Sequence, residues 1–184
     1  MRLTTCPLLF CRPGELRHME WAEVDLEHAE LNVPAERLKL KTQTKLARKG
    51  QIHLIPLSSQ AVQILRELHP LNRHSKYVFP GYRTPLRPMC ENAVNTALRR
   101  MEFTGDEMTG HGFRATAWTI LDEVLRIRPD IIAHQLAHAV KDPNGRAYNR
   151  TAFIDDRRKM MQQWADYLDN LKMTGKVTPI SRAA

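Results

Sequence analysis

Cysteine is scarce in this chain. Cys6, Cys11 and Cys90 are three among 184 residues, an odd number at spacings that match no metal pattern. That argues against a disulfide framework or a cysteine-built zinc site, and free thiols in a reducing compartment are expected. Long apolar runs are missing too. The opening MRLTTCPLLFCRPGE has an apolar stretch too short for a signal peptide, with charges following at once. No stretch is long and apolar enough to cross a bilayer, so a cytosolic protein without a membrane part is expected. Internal repeats and low-complexity blocks are absent, and the length suits one domain with a real core. Acidic residues are in deficit: 20 Asp and Glu against 28 Lys and Arg leave a net charge of +8 and a pI near 9.7. The expected partners are therefore polyanions. DNA, RNA and acidic membrane surfaces all qualify, and charge alone does not choose among them.

What is present reads as a mostly helical chain with a small antiparallel sheet near its front. RPGELRHMEW begins a short helix with Pro13 near its first turn. LNVPA (31–35) and QIHLIPL (51–57) read as two strands of a hairpin. Its long basic tip carries Arg37, Lys39, Lys41, Lys45, Arg48 and Lys49, opposed only by Glu36. SSQAVQILRELH is a helix capped by Ser58 or Ser59, with Ala61, Val62, Leu65 and Leu68 on one face. YVFPGYRTP reads as a short strand and a turn. Residues 88–102 place Ala93, Val94, Ala97, Leu98 and Met101 at helical spacing. Residues 111–126 form another helix, with Phe113, Ala117, Ile120, Leu121 and Val124 inward. The last long helix spans about 151–171, with a stripe of Phe153, Ile154, Met160, Met161, Trp164, Leu168 and Leu171. The tail from Met173 has no core-facing pattern.

Four groups of residues could do chemistry. His134 and His138 stand four apart, as in helical zinc sites. The base position after the first histidine is Gln135, however, and no third ligand follows, so no metal is expected. His111 and Arg114, three apart at a helix start, share a face and suit a phosphate; by themselves they equally fit an ordinary solvated helix start. Arg12 lies beside Leu8, Leu9, Phe10 and Cys11, where a charge needs an acceptor, and Glu15 is within reach of a structural ion pair. Tyr148 stands between Arg146 and Arg150. With a pKa of about 10 its phenol is a poor nucleophile. It attacks phosphorus only where cations stabilise the developing charge and a base takes its proton.

Taken in order, RPGELRHMEW, PAERLK with IHLIPLS, TGHGFRATAWTIL, QLAHAV and NGRAYNRT resemble the catalytic domain of the tyrosine recombinases, or phage-type integrases. The likeness is strongest to those of satellite prophages and genomic islands, and it runs from about residue 3 to about 170. The resemblance implies the integrase catalytic-domain fold over 1–172 and a C-terminal tail over 173–184. It implies Arg12 and Arg114 as the two catalytic arginines and His111 as the partner histidine. His138 takes the place of the histidine in the family's Leu-Gly-His motif, here Leu136-Ala137-His138, and Tyr148 is the nucleophile. Lys39 is favoured as the family lysine, with Lys41 or Lys49 as alternatives because the basic insert is long. Lys41, Lys45, Arg48 and Lys49 are candidate DNA contacts, and Glu15 supports Arg12.

The implied reaction is attack of the Tyr148 oxygen on a DNA phosphodiester, giving a 3′-phosphotyrosine and a free 5′-hydroxyl. No metal and no nucleotide cofactor is required. The implied partner is double-stranded DNA at attachment sites, bound as a homotetramer, with a monomer in isolation and a place in the bacterial cytoplasm at the nucleoid. Family members carry a core-binding domain before this region; no such domain is expected here, and the chain is expected to start after the first helix of the catalytic domain. Weak, salt-dependent DNA binding would follow. The competing readings are a non-catalytic DNA-binding remnant, a topoisomerase-like relaxing activity and a metal-dependent hydrolase.

Overall fold

The computed structural model describes residues 2–39, 49–137 and 153–175. Its sheet has three antiparallel strands in the order β1 (Val24–Asp25), β2 (Glu30–Pro34) and β3 (Ile52–Pro56). β2 and β3 are the expected hairpin, and the two-residue β1 is an addition. The register pairs Leu31 with Ile55 and Val33 with His53. Side chains alternate along strands, so these four point to one face and all four are buried. The alternation that identifies β3 therefore also sends an imidazole into the core.

Seven α-helices surround the sheet among the described residues: α1 (Arg2–Leu9), α2 (Pro13–Arg17), α3 (Ser59–Asn72), α4 (Ala93–Arg100), α5 (Gly112–Thr119), α6 (Pro129–Gln135) and α7 (Ile154–Thr174). Ser58 is the cap of α3, its hydroxyl accepting from the Ala61 amide at 3.3 Å. Ala61, Val62, Leu65 and Leu68 are all buried, as their spacing requires. One core cluster joins α1, the sheet and α3 with Val78 and Phe79. A second gathers Phe10, Ala117, Leu121, Ile132, Leu136, Met160, Met161 and Trp164 between α5, α6 and α7. Phe10 meets Trp164 edge to face at 6.0 Å, and the Trp164 indole donates to the Pro7 carbonyl at 2.8 Å. That bond ties α7 to the end of α1.

Several expectations need correction. YVFPGYRTP forms no strand: only isolated bridges from Glu20 to Tyr77 and from Pro80 to Pro88 occur there, with Val78 and Phe79 buried between them. Met101 lies past the end of α4 and is exposed. Arg37 leaves the basic tip altogether and turns inward, pairing with Glu23 and donating to the His18 carbonyl. α7 continues past Met173 to Thr174, where Gly175 closes it in the left-handed conformation that glycine tolerates.

The expected helix over 111–126 is not uniform. α5 ends at Thr119 and a π-helical turn follows over Ile120–Val124, with Leu125 N bonded to Ile120 O at 2.9 Å. The wider turn adds one residue per loop of chain. It rotates Val124 into solvent (47% exposed) and brings Leu125 against the second cluster. Leu121→Ala is accordingly expected to cost about 3 kcal/mol by cavity formation, whereas Val124→Ala stays within about 0.5 kcal/mol. Chemical denaturation of both variants checks the rotation, since a regular helix would make both substitutions costly.

Candidate active site

The site grows from the way α1 ends. Phe10, buried and at φ 33°, turns the chain out of the helix, a conformation that costs a non-glycine residue about 1–2 kcal/mol. Arg12 follows as the cap residue of α2, with Pro13 pre-set for the first turn. One carboxylate then holds Arg12 twice. Glu15 Oε1 accepts from the Arg12 guanidinium at 2.7 Å, and Oε2 accepts from the Arg12 amide at 3.1 Å. The pair is largely shielded, so the geometry of the arginine is set by the helix start rather than by solvent.

Arg114 comes from α5 and is only 6% exposed. Its Nη1 donates to the Phe10 carbonyl at 3.5 Å, and its Nη2 donates to the carbonyl of Leu136. These carbonyls stand where α1 and α6 stop. Unpaired carbonyls at a helix C-terminus carry partial negative charge, so two helix ends converge on one guanidinium. Burial first, and then the neighbouring Arg12, draw its pKa down to about 10, against the opposing pull of Glu15. The side chain stays charged at neutral pH. Among the described residues, two guanidiniums therefore stand near one carboxylate, an excess of positive charge that an anion would neutralise. A small cavity beside Arg114 is lined by Cys11, Glu15, His53, Arg114, Gln135 and Ala137, among others. Burial pushes the Cys11 thiol up to about 12, so it is no thiolate at neutral pH.

The other expected residues are placed unequally. His111 caps α5 and is exposed, while Arg114 is buried, so the two point to different environments. Lys39 is exposed on the connection from β2 to β3, and Lys49 is exposed in the turn before β3. Lys41, Lys45, Arg48, His138 and Tyr148 lie outside the described residues. His134 is half-buried and packs edge to face on Phe153 at 5.3 Å. Among the described residues no three or more His, Cys, Asp or Glu side chains gather as a metal site would need. No helix among them is long and apolar enough to cross a membrane.

Three residues beside the arginines carry interactions that the sequence pattern did not bring out. His53 Nε2 lies 3.1 Å from the Gln135 carbonyl, and burial followed by the Arg157 charge lowers its pKa to about 3. The Gln135 side chain accepts from Arg157 Nε at 2.8 Å. Arg157 is 1% exposed. Its spacing from Met160, Met161 and Trp164 was the available signal, because it places a cation on the apolar stripe of α7.

Comparison with known proteins is consistent along nearly the whole chain. The phage integrase family profile matches residues 9–153. The integrase of Enterobacteria phage P4 is 38% identical over 168 residues, covering 88% of this chain and 38% of the phage protein. Prophage integrase IntA of Escherichia coli K12 is 37% identical over 159 residues, covering 86% of this chain and 36% of its own. Prophage integrase IntZ of the same strain is 38% identical over 169 residues, with 92% and 39% covered. The chain thus spans about two fifths of the length of these relatives. The crystal structure of XerA recombinase superposes with a TM-score of 0.56 at 15% identity, covering 97% of this chain and 58% of that one. That likeness establishes the fold.

Two outcomes follow from this geometry. Ala137 has φ 49° where the resembling motif has glycine, so Ala137→Gly relieves left-handed strain of about 1–2 kcal/mol. Lost methyl burial and added chain entropy of similar total offset that gain. The substitution is expected to be near neutral, while Ala117→Gly, in a buried helix, loses about 2 kcal/mol; thermal unfolding compares them. The second concerns pH. His53 binds its proton at about 3 when folded and at 6.5 as a free side chain, so the unfolded state takes up more protons between those values. Stability falls as pH drops from 6.5 towards 3, by about 1.4 kcal/mol per unit from this group. In urea titrations His53→Gln is expected to flatten that slope.

Proposed function

The chain belongs to the phage integrase family, and from that membership we propose that it is the catalytic part of a site-specific DNA recombinase. The catalytic domain takes residues 1–172 together with the end of α7, which runs to Thr174. The substrate is double-stranded DNA at attachment sites of a prophage or genomic island, engaged as a tetramer in the bacterial cytoplasm. The observation that carries this reading is the pair Arg12 and Arg114. Both are held by fixed protein groups, Arg12 on Glu15 and Arg114 on two helix-end carbonyls, and Arg114 and Glu15 line one small cavity.

In this reading the Tyr148 oxygen attacks the phosphorus of one DNA strand. The new bond is a 3′-phosphotyrosine; the bond that breaks is to the 5′-oxygen. His111, exposed at the start of α5, takes the phenol proton. Lys39, or Lys41 or Lys49 from the same connection, returns a proton to the leaving oxygen. Arg12 and Arg114 donate to the non-bridging oxygens, and His138 adds a third donor. The guanidiniums are held before substrate arrives, so little reorganisation is needed as charge builds in the transition state. The phosphotyrosine conserves the bond energy. Attack by the 5′-hydroxyl of another strand then completes an exchange with no metal or nucleotide consumed. Lys45 and Arg48 with their neighbours grip the backbone, a contact that weakens with salt.

The test is a nicked suicide duplex on which a small 5′-fragment diffuses away after cleavage. The wild-type chain is expected to form a covalent protein–DNA adduct that chelators do not affect. Tyr148→Phe forms none, and Arg114→Ala forms it roughly 10²- to 10³-fold more slowly. An adduct in Tyr148→Phe, or none with the wild type on any duplex, overturns the reading.

A further inference from the structure

We propose that Arg157 is a positioning residue for strand cleavage, acting through Gln135 to hold the end of α6, which presents the Leu136 carbonyl to Arg114 and leads into His138. The inference rests on the proposed function and adds to it a residue outside the catalytic set.

Arg157 lies in the first turn of α7, the helix that follows the Tyr148 segment. It reaches two other elements from there. Its Nε donates to the Gln135 side chain on α6 at 2.8 Å, and its Nη2 donates to the Leu54 carbonyl on β3. Gln135 is gripped elsewhere as well: its carbonyl lies 3.1 Å from His53 Nε2, and its amide donates to Met161 Sδ at 3.2 Å. The next residue, Leu136, presents to Arg114 the carbonyl that its guanidinium uses. Ala137 then turns at φ 49° into His138.

One buried cation therefore ties together three pieces: the helix after the nucleophile, the strand beyond the basic hairpin, and the helix end between Arg114 and His138. Arginine suits this because its planar fork donates in two directions at fixed angles, which an ammonium does not. A cation at this depth is costly to bury, and fixed acceptors such as these offset that cost only if the geometry holds. An apolar residue on the α7 stripe would fill the same space without fixing Gln135. A displacement of about 1 Å at Leu136 would carry Arg114 off the phosphate, a loss of roughly 10²-fold in rate for positioned groups.

The test uses the full chain and a pool of nicked duplexes randomised around the nick. The sequences that the wild type cleaves serve for single-turnover rates and DNA affinities. In parallel, the ¹⁵N–¹H guanidinium resonance of Arg114 is followed without DNA. Arg157→Lys and Gln135→Met are expected to slow cleavage roughly 10- to 100-fold at saturating DNA, to leave DNA affinity within about twofold, and to move the Arg114 resonance. Gln135→Glu keeps an acceptor for Arg157 and is expected to retain both rate and resonance. Leu65→Ala, in the other core cluster, lowers stability without moving the resonance and so controls for loosening of the fold. Arg157→Lys and Gln135→Met with wild-type rates and an unmoved Arg114 signal would overturn the proposal, as would Gln135→Glu failing as badly as Gln135→Met. A wild-type chain that forms no adduct sinks the proposed function instead, and the resonance still decides the role of Arg157.

Discussion

Two helix ends hold the guanidinium of Arg114, and the remainder of the site is arranged around that fact. A buried arginine needs acceptors, and here the carbonyls of Phe10 and Leu136 supply them. Each stands where a helix has run out of amide partners, and each is at or beside a residue with positive φ. The strain in those turns is the consequence of aiming carbonyls inward. It is offset by the hydrogen bonds of a charged donor, which are worth more than neutral ones. Arg12, fixed on its own carboxylate by the start of α2, then sits near enough to lower the Arg114 pKa. Among the described residues, this leaves two guanidiniums near one carboxylate, both held by the fold itself.

The surrounding core explains how such a charge arrangement keeps its shape. α1 is tied to α7 through Trp164 and the Pro7 carbonyl, and α6 is tied to α7 and β3 through Gln135, Arg157 and His53. Low-polarity packing around polar groups strengthens their hydrogen bonds and penalises any that are lost. The same network that stabilises the second core cluster thus limits where the α6 terminus can lie. Catalytic positioning and stability are coupled here, because both run through one set of buried polar contacts.

Much of this was legible from residue pattern. The strands at 31–35 and 51–57, the helix capped by Ser58 and the inward faces of α3 and α7 follow from alternation and helical spacing, which report burial directly. The Arg12–Glu15 pair was legible from an arginine set in an apolar stretch with a carboxylate three residues on. The π-helical turn after Thr119 was not, since a period of 3.6 assumes a regular helix and misassigns Val124 once one residue is added. The left-handed turn at Phe10 carried no mark because it is neither glycine nor asparagine, whereas Ala137 stands where the resembling motif has glycine. Arg37 was misplaced and Arg157 missed for a common reason: composition counts every cation as surface charge, whereas Glu23 and Gln135 draw these two inward.

The central claim is that Arg12 and Arg114 jointly receive one phosphoryl group delivered to Tyr148. The most direct measurement is a crystal structure of the chain trapped covalently on a cleaved duplex. The account predicts a phosphotyrosine at Tyr148 whose non-bridging oxygens accept hydrogen bonds from both guanidiniums, with Glu15 still on Arg12 and Leu136 still on Arg114. A phosphoryl group bound by neither arginine, or by basic hairpin residues alone, would contradict it.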